Sequence, residues 1–232
     1  MITPRKSADR RRRTEGARET WITFDRENRS DPMSGGFRCL ESLSEEALAP
    51  GADFSDQTSN DIEILTYVCD GSLVQQDPSG ATQVLDPGEC SRTSFRSGAS
   101  YRTTNVSRTD AARAFRCLFT PDRASLRTHA EKKYFPIAER RGLLRLILSS
   151  NGRNGSLRFR RDGRVFSSVL DPGHHLVHEL ATGRGAWLQV VSGRIQLSDQ
   201  VLNAGDGACF EEEAAVSLTA QQLSEILLFD LP

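Results

Sequence analysis

The sequence has little histidine: of four in 232 residues, only His129 precedes residue 174. That count excludes a histidine-rich metal site in the first half of the chain. Cysteine is scattered as Cys39, Cys69, Cys90, Cys117 and Cys209, an odd total with no Cys-x-x-Cys. The pattern argues against a disulfide framework and for reduced thiols packed as small hydrophobes, with a redox role as the minority reading. No run approaches the roughly 18 apolar residues of a membrane span, and no apolar segment follows the basic start Met1-Ile-Thr-Pro-Arg-Lys6. The expectation is a protein without membrane segment or secretory signal, located in the cytoplasm. Net charge is −1, and the one dense positive run, Arg10-Arg-Arg-Arg13, lacks the interleaved aromatics that stack bases. It reads as a solvated surface turn, not as a nucleic-acid site.

What is present is β structure with turns. Hydrophobic residues make up 37% and charged residues 26%, an ordinary soluble balance, and the length suits one large or two small domains. Glu63–Val68 and Gly71–Gln75 read as one strand pair, Thr82–Leu85 and Tyr101–Asn105 as another, punctuated by Asp70-Gly71, Asp77-Pro-Ser-Gly80 and Asp86-Pro-Gly88. Short strands closed by Gly and Pro turns at this spacing predict a small antiparallel barrel with function at its mouth. Phe54, Phe95 and Tyr101 are candidates to plug it. The plan recurs later: Val68-Cys-Asp-Gly71-Ser-Leu-Val matches Val190-Val-Ser-Gly193-Arg-Ile-Gln, and Leu85-Asp-Pro-Gly88-Glu matches Leu202-Asn-Ala-Gly205-Asp. Two copies imply duplicated barrels.

Thr20–Phe24 reads as an early strand and Asp31–Leu48 as a connection crossing a barrel end. Phe115, Cys117 and Phe119 alternate as a strand with one buried face. The boundaries are drawn as a first barrel over 1–119, a linker over 120–142 with a short helical turn stopped by Gly142, and a second barrel over 143–232. In the second copy His174, Leu176 and His178 share a strand face. His174 and His178 are then about 13 Å apart, too far for one metal without a bend, so hydrogen-bonded rim or core histidines are the plainer reading. Glu211-Glu-Glu213 reads as a charged rim, Trp187 as core and Ile226–Pro232 as a closing strand.

Ala49-Pro-Gly-Ala-Asp-Phe54, Asp61-Ile-Glu-Ile-Leu-Thr-Tyr-Val68, Leu85-Asp-Pro-Gly-Glu89, Glu139-Arg-Arg-Gly-Leu-Leu-Arg-Leu146 and Gly185-Ala-Trp-Leu-Gln-Val190 carry a resemblance over almost the whole chain to the pirin-like, quercetinase-like bicupins. The resemblance implies an all-β fold of two tandem cupin barrels (double-stranded β-helix, or jelly-roll) with a few short helical turns. It also implies iron or another divalent metal in the first barrel, held by a His-x-His and a His-x-Glu pair. Those positions fall here at Gln57, Ser59, Tyr101 and Thr103. Residues at i and i+2 of a strand share a face, so two such pairs can surround one point. An amide, two hydroxyls and a phenol are nevertheless weak ligands where imidazole and carboxylate suit the metal. No cofactor is expected, with His174 and His178 as the remaining metal candidates.

The expected function is a bicupin that has lost its first-barrel metal site and binds a small molecule or a protein partner without catalysis. One alternative is metal-independent chemistry, with Glu63 as acid or base and Tyr101 as donor; the plainer reading of Glu63 is a buried carboxylate paired with an arginine such as Arg102. The other is a quercetin 2,3-dioxygenase-like enzyme, which the resemblance implies.

Overall fold

A computed structural model describes residues 1–24, 30–121 and 129–232. The chain forms two compact units, Arg10–Tyr134 and a second made of Phe135–Pro232 with Met1–Asp9. Each unit pairs a seven-stranded sheet with a four-stranded one.

In the first unit the large sheet runs, edge to edge, through His129–Tyr134, Glu89–Phe95, Ile62–Asp70, Ala112–Phe119, Leu40–Leu48, Arg18–Ile22 and Arg11–Glu15. The small sheet runs through Asp53–Gln57, Ser100–Asn105, Leu73–Gln76 and Thr82–Leu85. All the pairings within these two sheets are antiparallel. The four strands read around the first barrel's turns are present, with ends shifted by one or two residues, but not in the expected pairs: Ile62–Asp70 and Leu73–Gln76 lie in different sheets, and Leu73–Gln76 stands between Thr82–Leu85 and Ser100–Asn105. Two glycines make the corresponding turns of the two units possible. Gly71 (φ +67°) and Gly193 (φ +82°) lie in the left-handed region, and a Cβ would approach the carbonyl oxygens of Ala111 and Leu223 to 2.7 and 2.3 Å.

The second unit repeats the plan. Its large sheet runs through Ile2–Arg5, Gly207–Phe210, Gly185–Ser192, Ser224–Leu231, Arg164–Leu170, Arg145–Ser149 and Leu157–Arg158. Its small sheet runs through His175–Glu179, Ala215–Ala220, Arg194–Leu197 and Gln200–Asn203. Leu176, Leu188, Phe210, Leu218, Ile226 and Leu228 belong to one buried apolar cluster inside it. Trp187 is fully buried, and Glu211 and Glu212 are exposed at a bend. One short helix, Ile137–Arg140, precedes Gly142.

Several elements differ from the sequence reading. Ile2–Arg5 pairs with Gly207–Phe210, so the chain's first strand is built into the second unit, outside the first-barrel span drawn over 1–119. His129–Tyr134, placed in the linker, pairs with Glu89–Phe95 as an edge strand of the first unit; the part of that linker from 122 to 128 lies outside the described residues. Arg10–Arg13 is not a turn, because Arg11–Glu15 is an exposed edge strand, whose charges oppose edge-to-edge pairing. Arg10 itself is nearly buried and donates to Glu45 at 2.9 Å. The Asp31–Leu48 connection ends in a nine-residue strand that buries Leu40, Leu43 and Leu48. Nearest-neighbour patterns miss such contacts because the pairing partner lies far along the chain.

Candidate functional site

A cavity of about 360 Å³ opens in the first unit, within the size range of small-molecule sites. Ile64 and Thr66 project into it from one strand, Thr93 and Phe95 from the next, with Gln75, Gln83, Tyr101 and Arg116 around them. Alternation explains the lining: residues two apart on a strand share a face, so Ile64 and Thr66 point inward while Glu63 and Leu65 point away.

Arg116 closes the inner end. Its Nη1 donates to Glu46 Oε1 at 3.1 Å and Asp56 Oδ2 at 2.9 Å, and its Nη2 donates to the Tyr101 hydroxyl. Its guanidinium carbon lies 5.0 Å from the centre of the Tyr101 ring, and that ring stacks on Phe95 at 4.6 Å. Arg18 Nη1 reaches both Asp56 oxygens, at 3.1 and 3.0 Å. Two guanidiniums and two carboxylates thus form one buried network. Burial pushes the Asp56 carboxyl up, but the Arg116 and Arg18 charges outweigh it and hold Asp56 below the usual carboxylate range. Burial likewise pulls Arg116 down, and Glu46 and Asp56 more than restore its charge. Asp56, Arg116 and Arg18 thus favour one another's charged forms.

The opposite wall is an amide and hydroxyl chain. Gln75 Nε2 donates to Thr66 Oγ1 at 3.0 Å, and Gln83 Nε2 donates to Gln75 Oε1 at 3.1 Å and to Ser91 Oγ at 2.6 Å. His129 and Asp77 also contribute to the lining. Asp77 Oδ1 accepts from Ser79 N at 2.8 Å, Ser79 Oγ at 2.5 Å and Ala81 N at 3.1 Å.

The structure divides the four positions taken from the resemblance. Tyr101 and Thr103 are buried on the inner face. Gln57 and Ser59 are exposed on the outer one, Gln57 donating to the Gly98 carbonyl at 3.3 Å. Tyr101 pairs with Asp56 and Thr103 with Phe54, so the inward set is Phe54, Asp56 and Thr58, one residue out of phase with the expectation. A slip of one residue exchanges the faces of a whole strand. The apolar side chain of Phe54, which fixes that phase, was the signal available in the sequence.

Glu63 also differs from its proposed role. It is fully buried but faces away from the cavity, 3.6 Å from Arg92 Nη1 and 3.4 Å from Ser94 Oγ. Arg102 instead pairs with Asp53 at the surface. Arg116 was missed because Phe115, Cys117 and Phe119 suggested a strand with one buried face; both faces are buried, and Arg116 occupies the inner one.

In the second unit His174 and His178 do not converge on a shared site. His178 Nε2 lies 3.0 Å from Asp230 Oδ2, and its ring packs against Phe166 at 5.0 Å. Arg184 donates to the same carboxylate. His174 sits over Gly142, and His175 bonds Ser217 Oγ at 3.0 Å. Among the described residues no group of three or more His, Cys, Asp or Glu is placed to hold a metal ion, and no helix is long and apolar enough to cross a membrane.

Residues 6–117 match the Pirin family, and residues 146–231 match the family described as Quercetinase C-terminal cupin domain. The chain is 30% identical to quercetin 2,3-dioxygenase of Escherichia coli K12 over 232 residues, covering 100% of this chain and 99% of that one. It is 29% identical to the Pirin-like protein YhaK of the same organism, over 100% of both chains. The crystal structure of YhhW from Escherichia coli superposes with a TM-score of 0.90 at 29% identity, covering 100% of this chain and 98% of that one. A second structure, of bacterial pirin YhhW in complex with nickel(II), does so with a TM-score of 0.89 at 29% identity, covering 100% and 99%. Two sheet-on-sheet barrels in tandem, both halves matched in order and a full-length relative at 30% identity place this chain in the pirin-like, quercetinase-like bicupin family.

Proposed function

We propose that this bicupin binds a small molecule in its first barrel without a resident metal, and acts as a binding or regulatory protein. The observation that carries the reading is the Arg116 network at the inner end of the cavity. The network holds two carboxylates, Asp56 and Glu46, both already engaged by guanidinium, and a phenol, Tyr101, that accepts from Arg116. A divalent ion placed there would face a fixed positive charge and donors poorly suited to it, so the donor set does not fit the family's metal. Arg116 cannot be deprotonated in the accessible pH range to make room. The cavity itself, walled by amides and hydroxyls, supports a binding role.

The test is elemental mass spectrometry of untagged protein after incubation with iron, nickel, copper and manganese. Far less than one equivalent of each is expected; near one equivalent, lost on changing Asp56 or Tyr101, would overturn the reading.

A second reading, a quercetin 2,3-dioxygenase-like enzyme, is favoured by the full-length relative of that name at 30% identity. It requires dioxygen-consuming turnover of quercetin that a chelator abolishes.

A further inference from the structure

The cavity's charges and hydrogen-bond capacities restrict what can occupy it. Among the described residues its lining carries one positive group, Arg116, one acidic group, Asp77, and one imidazole, His129. Behind Arg116 stand Glu46, Asp56 and Arg18, each held in the same network. Asp77 is committed to its own turn. An anion would give up its hydration for a guanidinium that two carboxylates already engage, and a cation for a carboxylate whose Oδ1 already accepts three hydrogen bonds.

The glutamine wall adds a direction. Both amide hydrogens of Gln83 are spent, on Gln75 Oε1 and Ser91 Oγ, so what Gln83 offers is its carbonyl oxygen. Gln75 spends one amide hydrogen on Thr66 and keeps one donor and a second lone pair. Phe95 and Tyr101, stacked on each other, also line the cavity. Aromatic lining together with amide acceptors suits a flat molecule whose edge carries N–H or O–H donors.

We propose that the first-barrel cavity selects an uncharged, flat ligand that donates hydrogen bonds to the Gln75–Gln83 wall, and discriminates against anions and cations of the same shape. The proposal rests on the metal-free binding reading above and gives the ligand class for that site. It does not depend on a chelating pair of oxygens in the ligand.

The probes are benzamide, benzoate, protonated benzamidine and N,N-dimethylbenzamide, which share a ring and differ in charge or in donors. Each is titrated into full-length, chelator-treated protein at pH 8, above the ordinary imidazole range, and followed by protein-observed NMR. Benzamide is expected to saturate and to bind at least about tenfold more tightly than benzoate or benzamidine, and more tightly than the dimethyl amide. Gln83→Leu is expected to erase the preference for benzamide over its dimethyl analogue, with Thr93→Val as the variant read if Gln83→Leu does not fold. Thr93→Val is expected to narrow the same preference. Benzoate or benzamidine binding as tightly as benzamide, no saturable binding by any probe, or an unchanged preference in the variant read would each overturn the proposal. Metal titration of the same sample separates the two failures. Stoichiometric metal uptake sinks the metal-free reading, whereas a reversed charge order without metal uptake sinks the ligand class alone.

Discussion

The two barrels share one plan and differ in what fills them. The second is closed by its own side chains, with Leu176, Leu188, Phe210, Leu218, Ile226 and Leu228 in a continuous apolar cluster. In the first, smaller apolar clusters sit at separate places, one around Leu48, Val68 and Leu73 and another around Ile64, Phe95 and Tyr101, and a polar cavity opens between the walls. One duplicated fold thus carries a continuous apolar core in one copy and a polar cavity in the other. The difference lies in a few inward positions: an arginine, a glutamine and hydroxyls in the first copy, leucines and a phenylalanine in the second.

The comparison predicts its own largest effect in the filled barrel. Phe210→Ala leaves a hole among side chains with no water to fill it, and is expected to cost about 3–5 kcal/mol by urea denaturation. Thr93→Val at the cavity wall, where space is already open, should cost less than about 1 kcal/mol. Equal losses would show that the first barrel is packed as tightly as the second.

Next comes the buried network. Arg116→Met takes the Arg116 charge from Glu46 and leaves Asp56 with Arg18 alone, and is expected to cost about 3 kcal/mol, part of which returns in the double variant Arg116→Met/Glu46→Gln. The network also sets a pH dependence. The folded Asp56 carboxyl lies below its unfolded value, so its stabilisation is complete above the ordinary carboxylate pKa of about 3.9 and disappears as pH falls through the folded value. Asp230 behaves the same way in the second barrel, where burial raises its carboxyl but His178 and Arg184 bring it lower still. Urea midpoints between pH 6 and 2.5 should therefore fall on acidification in the native chain. They should fall less steeply in the Arg116→Met variant, in which Arg18 alone holds Asp56 down.

The shared turns should respond alike. Gly71→Ala and Gly193→Ala each force a left-handed residue against a carbonyl oxygen and are expected to cost about 2 kcal/mol or more. A large difference between them would break the equivalence of the two copies. The smallest effect tests strand phase: the double variant Gln57→Ala/Ser59→Ala should change stability by less than about 0.5 kcal/mol, because both side chains are exposed. A loss of several kcal/mol in that variant, measured by urea denaturation, would mean that those positions face the interior.

Sequence alone was enough for the strand-and-turn plan, the duplication and the expected all-β bicupin fold, because period-two alternation and glycine turns are local properties. It also sufficed for the scarcity of imidazole before residue 174. The pairing of Ile2–Arg5 with Gly207–Phe210, some two hundred residues away, has no local signature. Nor does the burial of both faces of Ala112–Phe119, which turns Arg116 from a surface residue into the inner wall of a cavity. Which face of Asp53–Gln57 looks inward depended on its partner Ser100–Asn105, and that register put Asp56 where Gln57 was expected. Side-chain direction along a strand follows from alternation, but the phase of that alternation is set by what packs against it, and only the tertiary structure supplies the partner.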